Sequence, residues 1–167
     1  MLALQITSTK TFMQQLLGGE VFDIFLLKEA VISTANTFTL DGRINPEFYP
    51  PEERGTDCIP YEFQPWNEMK GLCYHLIKGK NTPLYFKFVF HLKPEKIADL
   101  LSRENCDITP QQVRALVLTV KYDGSKAVLT TGTSYHTFII SKDVDILWDK
   151  TLTKYLSQKE IAYELLQ

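Results

Sequence analysis

Two octapeptides of matching chemical type constrain this chain's fold more than any other feature. Val31 to Phe38 reads V-I-S-T-A-N-T-F and Val128 to Tyr135 reads V-L-T-T-G-T-S-Y. Every position but one pairs residues of like character, and Asn36 against Thr133 is the loosest. Branched and hydroxyl-bearing side chains in this density have strand character, because a branched Cβ packs well on a pleated surface. Internal self-similarity is also the signature of a chain built from repeated units.

The flanking patterns extend the correspondence. Leu2, Leu4 and Ile6 alternate as a strand, and Ser8 or Thr9 caps a helix with Phe12, Met13, Leu16 and Leu17 on one stripe, closed by Gly18-Gly19. Phe22 to Lys28 reads as a strand, and Ala30 to Ile44 carries the first octapeptide with Asp41-Gly42 as a turn signal. In the second half Leu84 to Leu92 is a strand, and Pro94 opens a helix burying Ile97, Leu100 and Leu101. Val113 to Tyr122 follows as a strand with Leu116, Leu118, Val120 and Tyr122 on one face. Asp123-Gly124 turns the chain into Lys126 to Thr131, and Gly132 permits a turn into Tyr135 to Ile140. At one constant offset Leu4, Ile6, Phe12 and Leu16 correspond to Val89, His91, Ile97 and Leu101. The expected fold is α+β: a single domain, 1–167, of internally duplicated β-α-β-β-β units spanning about 1–49 and 84–141. Between them lies a Pro-rich connector, 45–65, with Pro46, Pro50, Pro51, Pro60 and Pro65. Two added helices complete it. One spans about 65–78 with Trp66, Met69, Leu72, Cys73, Leu76 and Ile77 on its apolar face, and the other about 143–157 with Ile146, Leu147, Leu152, Tyr155 and Leu156.

Bulk properties exclude several classes. At 167 residues, 44% hydrophobic and 23% charged, the chain can bury a sizeable core. A net charge of -2 gives no global basic signature for nucleic acid, although a local patch can act within an acidic total. Cys58, Cys73 and Cys106 are odd in number and form no C-x-x-C pair, which argues against a disulfide framework or a structural zinc site and fits a reducing cytoplasm. No apolar run reaches the about 20 residues of a spanning helix, and M-L-A-L-Q-I-T lacks a signal peptide's charged start. The expectation is a cytoplasmic protein that does not engage a membrane, either a monomer or a small homo-oligomer.

A β-α-β-β-β unit occurring twice is similar, in element order, to one domain of the DNA polymerase sliding clamps, whose helices line the DNA-facing side of a ring. The segments M-L-A-L-Q-I-T, F-D-I-F-L-L-K-E-A, N-T-F-T-L-D-G, L-I-K-G-K-N-T-P-L-Y-F-K-F-V-F and K-Y-D-G-S also resemble an uncharacterised family of short bacterial proteins of unknown function. That resemblance implies no catalytic residue. A clamp role requires basic helix faces, because neutralising phosphates drives such binding. The first helix offers Lys10, Gln14 and Gln15; the second offers Lys96 and Arg103 against Glu95 and Asp99. Counting Lys10, Lys96 and Arg103 against the two acids leaves +1, which equally describes an ordinary solvated face. Lys78 to Lys87, including Lys80, interleaves cations with aromatic rings, a pattern suited to single-stranded nucleic acid or to a plain helix terminus before a buried strand.

Enzymatic signals are sparse. His75, His91 and His136 have no ligand partner at useful spacing, since Cys73 and His75 point apart on a helix. Thr130, Thr131, Thr133 and Ser134 lack a nucleophile elbow and a matched acid–base pair. No phosphate-binding glycine loop and no cofactor motif is present. The leading expectation is a non-catalytic binding protein whose partner, a protein or a nucleic acid, meets Lys10, Gln14, Lys78, Lys80, Lys96 and Arg103. The alternative is a small enzyme with a site near the connector, using Asp41, Arg43, His91 or His136.

Overall fold

The computed structural model describes residues 1–167. The elements run β1 (Ala3–Ile6), α1 (Thr9–Gly18), β2 (Phe25–Ser33), β3 (Thr37–Asp41), β4 (Gln64–Pro65), α2 (Trp66–Ile77), β5 (Tyr85–Leu92), α3 (Pro94–Arg103), β6 (Val113–Tyr122), β7 (Ala127–Tyr135), α4 (Asp143–Gln158) and β8 (Tyr163–Leu165). All eight strands join one antiparallel sheet in the order β3-β2-β5-β6-β7-β1-β8, with β4 pairing β2 beside the end of β3.

Strand alternation explains why the helices collect on one side. In β5, Phe86, Phe88, Phe90 and Leu92 are buried, while Tyr85, Lys87, Val89 and His91 point to the outer face. The same parity in β2, β6, β7 and β1 puts Phe25, Ile32, Leu116, Val120, Leu129 and Leu4 into a single core with residues of all four helices. Trp66 of α2 packs on Phe88 and Phe90, and Trp148 of α4 meets Phe25 edge-on. Each indole also donates a hydrogen bond to a backbone carbonyl, Trp66 to Leu16 O at 2.9 Å and Trp148 to Val117 O at 3.0 Å. These meet the requirement that a buried N–H find a partner.

The expected duplication is not reproduced in the sheet. The first octapeptide wraps the bend between β2 and β3, whereas the second runs along one continuous strand, with Gly132 mid-strand opposite Val117. Residues 136–140, expected as strand, instead belong to the loop into α4. The helices do coincide in extent, Thr9–Gly18 with Pro94–Arg103, and Phe12 and Leu16 are buried like Ile97 and Leu101. Buried Leu17, however, stands opposite exposed Ser102, and buried Leu100 opposite Gln15. The preceding strands do not correspond. Leu4 and Ile6 are core residues, while their sequence counterparts Val89 and His91 face outward. Two residues, Thr7 and Ser8, separate β1 from α1, but Lys93 alone separates β5 from α3. That single residue inverts the face parity. The pairing is asymmetric too: β5 lies between β2 and β6, while β1 lies beyond β7.

Three further expectations are corrected. Phe22 belongs to the turn before β2, packed against Phe12 at 5.7 Å. Asp41-Gly42 is no hairpin turn. Gly42 lies against the β-bulge at Lys28, donating to Lys28 O and accepting from Gln64 N–H, so close that a Cβ would stand 1.7 Å from Leu27 O. Leu72 is exposed on α2 rather than part of its buried stripe. The connector is mostly exposed and irregular: two 3-10 turns, Pro46–Phe48 and Pro51–Glu53, lead to the buried Phe63 and β4. Phe63 and Leu26 are buried outside the main core, so the connector covers one corner of the sheet's outer face.

Candidate functional site

α3 and α4 lie side by side with a groove between them, and its composition follows from helical spacing. Lys96 and Arg103 are two turns apart on α3 with Leu100 between them, so all three share a face. Lys150 and Lys154 are one turn apart on α4 beside Leu147 and Thr151. The deeper part of the groove is a cavity of about 190 Å³ lined chiefly by Ile24, Phe25, Leu92, Leu100, Trp148 and Leu152, with Lys96 and Arg103 at its edge. It is continuous through Leu100, Arg103, Thr151 and Tyr155 with a second cavity of about 300 Å³ that adds Lys150, Lys154 and Glu104. Tyr155 lies between them and donates its hydroxyl to Val21 O at 2.5 Å, and burial followed by the nearby Asp23 charge raises its pKa, keeping it a neutral donor.

Electrostatics give the groove its character. Lys96, Arg103, Lys150 and Lys154 are all exposed, and none is in an ion pair. Four cations against Glu104 leave +3 around an apolar floor, in a chain whose total is -2. Glu95, which the sequence sets against Lys96, is instead engaged by the Tyr61 hydroxyl at 2.5 Å; that bond and burial raise the Tyr61 pKa to about 12.

The other sequence-expected residues fall elsewhere. Lys10 and Gln14 are exposed on α1, and Gln14 lines a wide cavity of about 630 Å³ with Met13, Leu17, Tyr74 and Ile77, where no charged side chain converges. Lys78 lies 5.9 Å from the Tyr74 ring centroid at the end of α2, and Lys80 is exposed in the following turn. Asp41, Arg43 and His91 do gather around Phe63. Arg43 lies over its ring at 5.2 Å and pairs with Glu62 at 2.7 Å, and Asp41 accepts from Arg43 N–H at 3.0 Å. His91 meets the same ring edge-on at 5.1 Å. None of the three lines one of the main cavities. Burial first, then the Lys28 charge, holds the His91 pKa down to about 4 against the opposing pull of Glu62, with Arg114 adding a lesser push in the same direction as Lys28. His136 is exposed beyond β7 and lines none of the main cavities. Asp145 and Asp149 face β7, where the Thr133 and Thr131 hydroxyls donate to them, the latter at 2.5 Å. No three His, Cys, Asp or Glu side chains gather where they could share a metal ion. No helix is long and apolar enough to cross a membrane.

The sequence profile of DUF5721, a family of unknown function, matches residues 15–164. The chain belongs to DUF5721. The match spans β2 through β8 and includes both helices of the groove. No curated protein matches this DUF5721 chain, and no solved structure does.

Of the groove's polar residues, Lys96 and Arg103 stand out in the sequence, whereas Lys150, Lys154 and Tyr155 do not. The i, i+4 lysine pair on the last helix was the available signal. Its weight depended on α4 lying beside α3, which no local pattern encodes.

Proposed function

We propose that this protein is a non-catalytic binding module that holds an anionic partner in the α3–α4 groove. The observation that carries the reading is the set of four unpaired cations, Lys96, Arg103, Lys150 and Lys154, around one apolar floor. Unpaired guanidinium and ammonium groups at a groove rim accelerate encounter and orient an acidic partner, while the apolar floor supplies desolvation energy. A clamp-like role on DNA has less support. Its helix face would need to run across α1, where Lys10 is followed by neutral Gln14 and Gln15.

The test is fluorescence anisotropy with a labelled oligo-glutamate peptide and a labelled short single-stranded DNA across a salt series. Binding should weaken as salt rises. The double variant Arg103→Glu, Lys154→Glu should lower affinity at least ten-fold with an unchanged circular dichroism melt. No binding of either probe at low salt, or binding indifferent to the double variant, overturns the proposal.

A further inference from the structure

The cationic groove does not end at Lys150. One helical turn earlier α4 exposes Ile146, 63% accessible, on the same stripe as Lys150 and Lys154. The loop that feeds α4 exposes Phe138 at 89% and Ile140 at 82%, while Ile139 between them packs against the core. The partly buried Ile139 anchors the loop, and its two apolar neighbours are thereby held in water. Burial of either side chain against a partner would be favourable. Exposed apolar side chains at the end of a cationic groove extend it as a contact surface.

Resting on the groove reading above, we infer that the partner is an acidic, amphipathic peptide segment of another protein. Its carboxylates meet Arg103, Lys150 and Lys154, and its apolar side chains cover Ile146, Phe138 and Ile140 and enter the cavity above Leu100. Two features select a peptide over nucleic acid. The rings at the cavity floor, Phe25 at 0% and Trp148 at 2% exposure, present no open face for a base to stack on. The cavity of about 190 Å³ is the size of one large apolar side chain rather than a run of nucleotides, and such an anchor in a small pocket is the usual energetic centre of a protein contact. A helix laid along α4 would reach both ends of the surface with one face.

The experiment compares two labelled peptides of equal negative charge, an amphipathic one with Leu and Phe at helical spacing and an oligo-glutamate, by anisotropy. The amphipathic peptide should bind at least ten-fold tighter. Phe138→Ser with Ile140→Ser should remove that advantage and leave the oligo-glutamate affinity unchanged, whereas Lys150→Glu with Lys154→Glu should weaken both. All four positions are exposed, and thermal melts check that the variants fold. If the lysine variant weakens both peptides while the Phe138/Ile140 variant changes neither, the groove reading stands and this inference fails. If neither peptide binds, both fail. Tighter binding of short single-stranded DNA, Phe138-dependent sedimentation with phosphatidylserine vesicles, or a Phe138-dependent dimer in analytical ultracentrifugation would each overturn the peptide assignment.

Discussion

His91 illustrates how one half-buried side chain couples the fold to pH. Its ring packs edge-on to Phe63 beneath the connector, and burial with the Lys28 and Arg114 charges brings its pKa from 6.5 to about 4. The unfolded chain therefore binds a proton between those values that the folded chain refuses. Stability is complete above pH 6.5 and falls as the pH drops toward 4. Urea titrations of wild type and His91→Leu across that window should show a shallower loss in the variant. Identical slopes would assign the acid sensitivity elsewhere. His91 could be seen in the sequence, but its neutrality could not, because Phe63 reaches it only when the connector folds back. Gly42 is visible in the same partial way: the glycine signals a special backbone position, but that position is a close approach to the bulge at Lys28 rather than a hairpin turn.

At the scale of elements, α2 is tied to the end of α1 by two side chains that the apolar pattern does not explain. The Trp66 indole donates to Leu16 O, and Lys70 Nζ bonds Gly19 O at 2.8 Å and pairs with Asp23 at 2.9 Å. Both ionised groups are mostly shielded, at 19% and 25% exposure, so the pair outlasts salt better than a surface bridge. A double-mutant cycle with Lys70→Met and Asp23→Asn should return a coupling of about 1–2 kcal/mol that persists at high salt. A coupling below about 0.3 kcal/mol would reduce the contact to a surface ion pair. The helices themselves were legible from the sequence because a 3.6-residue apolar stripe is local. The Lys70 contact was not, since Asp23 lies beyond α1 and a turn. Residues 136–140 depart from the expected strand for a related reason: Phe138, Ile139 and Ile140 have strand composition, but only Ile139 has a core to pack against.

For the whole molecule, one sheet with its helices on one side gives the three cysteines separate environments. Cys58 is exposed in the connector, Cys106 is partly covered, and Cys73 is buried on α2 with its thiol pKa pushed up to about 12 by burial. A thiolate-selective reagent should modify Cys58 at once, whereas Cys73 should react only as fast as the core opens. Its rate should rise with urea in step with loss of tertiary signal. Prompt labelling of Cys73 in buffer would mean that α2 detaches without global unfolding. The one-sided architecture also creates the candidate site, because it sets α3 and α4 next to each other at the same surface.

The sequence by itself determined the α+β class, the four helices and most of the strands, since each rests on periodicity, caps or turn residues within a short window. It also supplied half of the groove's cations in Lys96 and Arg103. Which halves correspond, and whether they do, was decided by tertiary structure. Lys93 alone bridges β5 to α3, where two residues bridge β1 to α1, so residues that match in the alignment face opposite sides of the sheet. The groove was decided at the same level. Lys150 and Lys154 lie far along the chain from Arg103, and only the packing of α4 beside α3 makes them one charged rim over one apolar floor.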